Sequence, residues 1–330
     1  LLLVAAGIGI PKIRINNNMV HWFRPHSEIR TADAVLNDKM GGTSLLYLVA
    51  SAEADEALKD PEKLRYIESL QREIEKVHEV GKTTSVADLL KRVNRAMNDD
   101  RPDQEILPAT KEIVGQYLFL FSMAAKPSTL DNLLDGPARR TNIWVQLKSW
   151  DAAAAERVLA RVDAYARLHP PPGLTLRPAG IAYFNLVWNR EVLRDMVTPF
   201  LAALVVVLLI LTLSFRSILW GLVSFVPLLF TIVLIYGVIG YSRTDFDMPI
   251  SVLSTLSLGM AVDFAIHFIR RYRQRVAEGH AREEALLWTV ARPGKGILRN
   301  AILFSLAFAV MVASSLTPYI TVGVFIMAMM

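Results

Sequence analysis

MVTPFLAALVVVLLILTLSF, residues 196–215, is an uninterrupted apolar run of the length that crosses a lipid bilayer. About 20 apolar residues in a helix match the roughly 30 Å thickness of the hydrocarbon core. Comparable runs follow at 218–241, 249–269 and 297–316, and another begins at 319–330. The C-terminal part of the chain is therefore predicted to be a bundle of transmembrane α-helices.

The composition divides the chain into two parts. Of its 330 residues, 53% are hydrophobic, and the apolar residues concentrate after residue 195. Residues 1–10 are also apolar, and we expect them to be the end of a first transmembrane helix. The sequence is expected to be a piece of a longer protein, cut at both ends. It contains no cysteine, which excludes disulfides, thiol nucleophiles and Cys-based zinc sites.

Residues 11–195 have mixed polarity and alternate between strand and helix patterns. Alternation of this kind is typical of an α+β domain with helices over one face of a sheet. A last helical stretch, 181–195, leads directly into the run at 196, which predicts a helix that joins this domain to the bundle. The other predicted elements are strand 43–52, helix 61–80, helix 84–99 capped by Ser85, helix 109–124, strand 141–150, helix 152–168 and strand 173–180.

The distribution of arginine and lysine orients the bundle. Arg270, Arg271 and Arg273 follow the third apolar run, and five more basic residues come before residue 301. The connection 242–247 has one arginine and two aspartates. Because an excess of Arg and Lys marks cytoplasmic connections, 270–296 is predicted to be a basic cytoplasmic loop. Residues 11–195 then lie outside the cytoplasm, and the net charge of +5 reflects topology rather than a nucleic-acid surface.

A single carboxylate interrupts the third apolar run. Asp263 lies about 20 Å from the outer edge of 249–269 and about 9 Å from its inner edge, at 1.5 Å per residue. An ionised aspartate at this depth costs on the order of 3 kcal/mol, so we expect its side chain to face the bundle interior or a water-filled cavity. Asp263 is the predicted proton relay, and a purely structural hydrogen-bonding role is the alternative.

Small and polar residues recur every four positions around Asp263. They are Ser251, Thr255, Gly259, Asp263 and His267. This spacing keeps them near one side of a helix, where small residues allow close helix approach and polar residues supply hydrogen bonds. Helix packing is the simpler role for Thr255 and Gly259, and an interfacial position is the simpler one for His267.

The fourth apolar run offers polar partners at matching depths. Ser305 lies about 10 Å from the inner end of that run, level with Asp263, and Asn300 lies near the level of His267. The polar seam that is predicted to support the relay comprises Thr255, Gly259, His267, Asn300 and Ser305.

The sequence contains only weak signals for enzymatic chemistry. Gly81, Lys82 and Thr83 resemble the end of a phosphate-binding loop, but Lys76 stands where that motif needs a glycine. The His21 and His26 pair lacks a third metal ligand at a useful spacing. We therefore expect neither an enzyme nor a metal site, and no cofactor other than protons as the coupling ion.

GMAVDFAIHF (259–268), followed by RRYR, resembles the fourth-helix signature of the resistance-nodulation-division (RND) superfamily, in its MMPL and hopanoid-exporter-like branch. The resemblance implies two similar halves, each with one span, a large extracytoplasmic porter domain and five further spans. This chain would be one such half, the second, without its ends. The fold class expected is an α-helical transmembrane bundle plus an α+β porter domain. Further similar segments are 16–49, 80–99, 142–149, 215–228 and 245–260.

The resemblance also implies a function. Asp263 would be the carboxylate through which the proton-motive force drives the porter domain. Many relatives place a tyrosine beside this aspartate, whereas Phe264 stands here, so the usual hydroxyl partner is absent. The expected activity is proton-driven export of hydrophobic or lipid-like molecules from a bacterial inner membrane, with 11–195 on the periplasmic side.

The expected partners follow from the same resemblance. They are the lipid or hydrophobic substrate, the other half of the same polypeptide, further copies in an oligomer and a periplasmic partner, but not nucleic acid. Two alternatives remain open on the sequence. One is a SecDF-like assistant of protein translocation, and the other is a sterol-sensing-type regulator that binds lipid without transporting it.

Overall fold

The computed structural model describes the backbone of residues 2–124, 127–242 and 244–330. The side chains of residues 2, 127–128, 192–194, 196, 248, 251–258 and 260–261 lie outside this description. The chain divides into two compact units, Glu28–Trp188 and Leu1–Ser27 together with Asn189–Met330. The described residues are mostly helical and form one small antiparallel sheet.

The α-helices, in chain order, are α1 Leu2–Gly9, α2 Glu28–Lys39, α3 Pro61–Ile74, α4 Val86–Met97, α5 Lys111–Ala124, α6 Pro127–Asp131, α7 Ala152–Leu168, α8 Ile181–Phe215, α9 Ile218–Ser242, α10 Met248–Ala277, α11 Arg282–Thr289, α12 Lys295–Ala309 and α13 Thr317–Met329. The strands are β1 Ser44–Ser51, β2 Val80–Thr84, β3 Arg140–Leu147 and β4 Thr175–Ala179.

The first unit contains the sheet, in the order β2-β3-β1-β4, with each neighbouring pair antiparallel. The connections β1-α3-β2 and β3-α7-β4 each skip one strand, which makes two interlocked split β-α-β units. Buried residues alternate along β1, at Leu46, Leu48 and Ala50, as the period of two requires for one covered face. Leu70 of α3 and Val158 of α7 belong to the same buried core.

The predicted helix 84–99 corresponds to α4, and its predicted cap is present. The Ser85 hydroxyl accepts a hydrogen bond from the backbone amide of Ala87 at 3.1 Å. The Asp88 carboxylate accepts one from the backbone amide of Ser85 at 2.9 Å. This reciprocal capping box satisfies amides that the first helical turn leaves without partners.

The prediction of one helix over 61–80 was wrong, because α3 ends at Ile74 and β2 begins at Val80. In β2 a Cβ added to Gly81 would lie 1.8 Å from the carbonyl oxygen of Gly41, so only glycine fits there. The Gly-Lys-Thr sequence therefore lies in a strand that pairs with β3. A phosphate-binding loop would need a helix to begin at this point.

The second unit is helical. Among the described residues, three helical stretches are long and apolar enough to cross a membrane, namely Val197–Phe215, Ile218–Ser242 and Arg282–Ala313. The predicted third span, 249–269, lies within α10, which extends eight residues beyond its predicted end. Helix α8 starts among the residues of the first unit and contains the stretch 181–195 together with the first predicted span.

The segment predicted as a basic loop, 270–296, is largely helical. Helix α10 continues to Ala277, α11 follows, and a π-helical turn at Val290–Gly294 leads into α12. Pro293 lies inside that turn, where its missing amide hydrogen weakens the regular hydrogen-bond ladder. The fourth predicted span therefore starts earlier than residue 297, as a continuation of this basic helical segment.

The predicted end of the fourth span also differs from the structure. A 3-10 turn follows α12 and ends at Ala313, and Ser314 is extended. Helix α13 then begins at Thr317, two residues before the predicted start at 319, with Pro318 in its first turn. Proline is favoured there because the first helical amides have no partner within the helix.

The segment that follows α1 pairs with other parts of the helical unit. Ile15 forms a bridge with Phe246, and Phe23 forms one with Leu316. Residues 11–27 therefore group with the helical unit, while the porter-domain bounds 11–195 stay a prediction. Backbone bonding to connections between the membrane helices is the physical reason for this grouping.

Helices α1 and α9 approach each other closely through small residues. A Cβ added to Gly240 would lie 1.9 Å from the carbonyl oxygen of Gly9, and one added to Gly237 would lie 2.5 Å from that of Ala6. Small residues at such a contact let two backbones approach within a membrane. This contact places the N-terminal helix within the helical unit.

Candidate functional site

Helix α10 has one face that is packed and one that is open. Val262 and Ile269 are buried in an apolar cluster with Leu211 of α8 and Phe225 of α9. Asp263 and the next two residues at four-residue intervals, His267 and Arg271, are exposed. Packing of the apolar face thus sets the rotation of the helix and turns the polar residues away from α8 and α9.

The open face of α10 borders a cleft of about 440 Å³. Asp263, Phe264, His267 and Arg271 come from α10. The remaining lining residues come from the π-helical turn, from α12 and from the C-terminus, and they are Pro293, Gly296, Ile297, Asn300, Phe304 and Met330. The cleft therefore combines apolar walls with a carboxylate, an imidazole, a guanidinium and an amide.

Asp263 lies near the middle of α10, about 22 Å from its first residue and about 21 Å from its last by helical rise. Its side chain is exposed to the cleft, and no other described residue forms a hydrogen bond or an ion pair with it. The carboxylate is thus accessible to water, to a proton or to a ligand that enters the cleft.

Two of the predicted seam residues line the same cleft as Asp263, and Ser305 contacts another helix. The two that line the cleft are His267 and Asn300. The Ser305 hydroxyl instead lies 3.5 Å from the carbonyl oxygen of Met327 in α13. Ser305 comes one position after Phe304, and one residue turns a helix by about 100°, which points Ser305 to another side.

The remaining two seam residues, Gly259 and Thr255, come before Asp263 on α10. A Cβ added to Gly259 would meet nothing within 4 Å, so this glycine is not at a close helix contact among the described residues. The side chain of Thr255 lies outside the described residues. Phe264 lines the cleft, and none of the described lining residues carries a hydroxyl group.

Comparison with known proteins adds to this geometry. The profile of the MMPL family matches residues 26–330. The chain belongs to the MMPL family. A protein of Methanocaldococcus jannaschii that is named as a membrane protein, MJ1562, is 20% identical in an alignment that covers 98% of this chain and 82% of the relative. Family membership indicates membrane transport of lipid-like substrates rather than enzymatic chemistry.

Arg271 is a cleft residue of this MMPL protein that sequence reasoning missed. We interpreted it only as part of the basic segment that orients the bundle. Its position eight residues after Asp263, two steps of four, was the signal that would have placed it on the same side. Its guanidinium donates a hydrogen bond to Gln274 Oε1 at 3.1 Å, so it stays oriented along the helix.

Arg273 has a different role from Arg271. Its guanidinium donates a hydrogen bond to the carbonyl oxygen of Phe215 at 2.8 Å, which satisfies the end of α8. The same group lies 5.6 Å from the ring centre of Phe215 and 5.5 Å from that of Trp220, within the range of cation–π attraction. Arg273 therefore ties α10 to the ends of α8 and α9.

The side chain of Asp247 caps the N-terminal end of α10. The Asp247 carboxylate accepts a hydrogen bond from the backbone amide of Ile250 at 3.2 Å. Burial raises the pKa of Asp247 above its ordinary value, and the bond from Ile250 opposes that rise. This cap was not predicted, because the connection 242–247 was interpreted only by its charges.

Proposed function

We propose that this MMPL protein exports hydrophobic or lipid-like molecules from the cell membrane of a bacterium, driven by protons that bind and leave Asp263. One observation carries the proposal. An acidic side chain lies in the middle of a long, largely apolar helix and opens onto a cleft instead of being neutralised by an ion pair with another described residue. Intramembrane carboxylates are costly and are therefore usually functional.

The free energy released by one proton is large enough to shift an equilibrium between two conformations of the protein. Moving one proton down a potential of 100 mV supplies about 2.3 kcal/mol, which biases an equilibrium about 50-fold because each 1.4 kcal/mol is a factor of ten. Protonation removes the charge of Asp263 and changes the water and the polar groups that can fill the cleft. The two protonation states thus favour different positions of α10.

Helix α8 offers a route from α10 to the sheet unit. Val262 and Ile269 of α10 pack in one cluster with Leu211 and Phe215 of α8. At the other end of α8, Leu186 is buried in the core of the sheet unit. We propose that the sheet unit is the extracytoplasmic porter domain and that a shift of α10 reaches it along α8.

The first turns of α8 are firmly held in the sheet unit. The Asn185 side chain donates a hydrogen bond to the backbone carbonyl of Trp150 at 2.9 Å. Ala182 is buried in the same core as Leu186. The N-terminal end of α8 is therefore part of the core of the sheet unit.

Asp263→Asn in the intact protein tests the proposal, because asparagine keeps the size and hydrogen bonding of the side chain but cannot release a proton. In inverted membrane vesicles with an imposed pH gradient, we expect transport of a fluorescently labelled fatty acid to be lost while expression stays normal. Glu283→Gln, which removes an exposed carboxylate from α11, is the matched control and should transport normally. Unimpaired transport by the Asp263→Asn variant would overturn the proposal.

The same variant separates the two alternatives. If Asp263→Asn blocks secretion of a reporter polypeptide but leaves fatty-acid transport intact, the protein is an assistant of translocation. If lipid binding persists and neither the variant nor an uncoupler changes the cellular phenotype, the protein is a lipid-binding regulator.

A further inference from the structure

We propose that His267 carries the proton between Asp263 and water in the part of the cleft that lies towards the C-terminal end of α10. This inference rests on the proposed function. His267 follows Asp263 by four residues and lines the same cleft. Its side chain is exposed, and no other described residue forms a hydrogen bond or an ion pair with it. A histidine that served only helix packing would have its ring covered.

The spacing of the two residues suits proton transfer. Side chains four apart on a helix have Cβ atoms roughly 5–6 Å apart, so the carboxyl of Asp263 and the imidazole of His267 are close enough for proton transfer after a change of side-chain rotamer or through one water. The first arginine of the basic segment, Arg270, lies about 10 Å beyond Asp263 along the axis. A single proton transfer between two side chains does not span that distance. His267 lies between Asp263 and Arg270 on the helix.

The chemistry of the cleft leaves His267 as the carrier. Among the described lining residues, the titratable side chains are Asp263, His267 and Arg271. A guanidinium is not deprotonated in proteins, and the amide of Asn300 donates and accepts hydrogen bonds without taking up a proton. Among the described lining residues, His267 is therefore the group besides Asp263 whose side chain can both accept and release a proton.

Two charged groups of α10 flank the imidazole. Asp263 lies one turn before it and Arg271 one turn after it, and the described lining residues of the opposite wall have uncharged side chains. The carboxyl of Asp263 gives its proton to the free nitrogen of the ring, which leaves a carboxylate and an imidazolium. The imidazolium then loses the proton on its other nitrogen to water. One proton moves, and no bond other than N–H and O–H changes.

Two variants of the full-length protein test the inference. In vesicles with an imposed pH gradient, His267→Ala should slow transport of the labelled fatty acid about tenfold or more, and millimolar free imidazole should restore part of the rate. His267→Gln should be as slow, and imidazole should not restore it because the glutamine fills the space. His280→Gln, on a histidine beside Glu284 outside the cleft, is the matched control and should transport normally.

The outcomes separate this inference from the proposed function. Wild-type transport by His267→Gln, together with loss of transport in Asp263→Asn, would overturn the role of His267 and leave the proposed function intact. Slow transport in both His267 variants without any rescue by imidazole, with normal thermal stability, would also overturn it and indicate a positioning role. Normal transport by the Asp263→Asn variant would overturn both the proposed function and the role of His267.

Discussion

The Asn16 side chain donates a hydrogen bond to Asp245 Oδ2 at 3.0 Å, although 229 positions separate the two residues. His21 Nδ1 lies 3.8 Å from the same oxygen. The backbone amide of Phe246 also donates to the carbonyl oxygen of Arg14 at 2.7 Å. The segment after α1 is thereby tied to the connection that precedes α10, the helix of Asp263.

We expect Asn16→Asp to lower stability more than Asn16→Ala. The alanine variant loses a hydrogen bond to a carboxylate, which contributes on the order of 1.5–3 kcal/mol, whereas the aspartate variant places a second negative charge against Asp245. Thermal unfolding in detergent at neutral pH measures both. Asn132→Asp, at an exposed position of the sheet unit, is the control and should unfold like the wild type. Equal stability of the two Asn16 variants would show that repulsion by Asp245 is unimportant.

Asp247 makes the start of α10 sensitive to pH. Because burial raises its pKa in the folded state, the folded protein holds this proton more tightly than the unfolded chain does. The stability that it contributes is fully present below the unfolded-state pKa, near the ordinary value of 3.8, and is lost as the pH rises through the higher folded-state pKa.

Asp247→Asn should therefore be at least as stable as the wild type at neutral pH, since asparagine keeps the cap without a buried charge. Relative to Asp247→Asn, Asp247→Ala should lose about 1 kcal/mol at all pH values because it lacks the capping oxygen. Unfolding temperatures of the wild type, Asp247→Asn and Asp247→Ala between pH 4 and pH 8 measure these differences in stability. The inferred effect of burial is wrong if the difference between wild type and Asp247→Asn does not change with pH.

Gly240→Ala should destabilise the contact between α1 and α9. The new methyl group would lie 1.9 Å from the carbonyl oxygen of Gly9, so the backbones must separate, at a cost of about 1–3 kcal/mol for overpacking. Gly7→Ala is the matched control on α1, since a Cβ there meets nothing within 4 Å. Thermal unfolding monitored by size-exclusion chromatography compares the variants, and equal unfolding temperatures would contradict the close contact.

Local sequence patterns were enough to predict several helices and strands of the fold. Helix α7 has the predicted bounds, 152–168, because a run of alanines precedes regularly spaced apolar residues. Strand β2 was missed, since VGKTT has a single apolar residue and therefore no apolar alternation. Its conformation depends on pairing with β3 and on the contact of Gly81 with Gly41, and both partners are distant in the sequence.

The sequence by itself determined that His267 and Arg271 follow Asp263 at four-residue intervals, and how far along the helix axis they lie from it. A helix rises by a constant amount per residue because its hydrogen bonds are local, so spacing and height follow from counting. Only the tertiary structure decided that Asn300 lies across the cleft from Asp263 while Ser305 contacts α13. The rotation of a helix depends on which of its side chains are buried by neighbouring helices, as with Val262 and Ile269, and those neighbours are not local in the sequence.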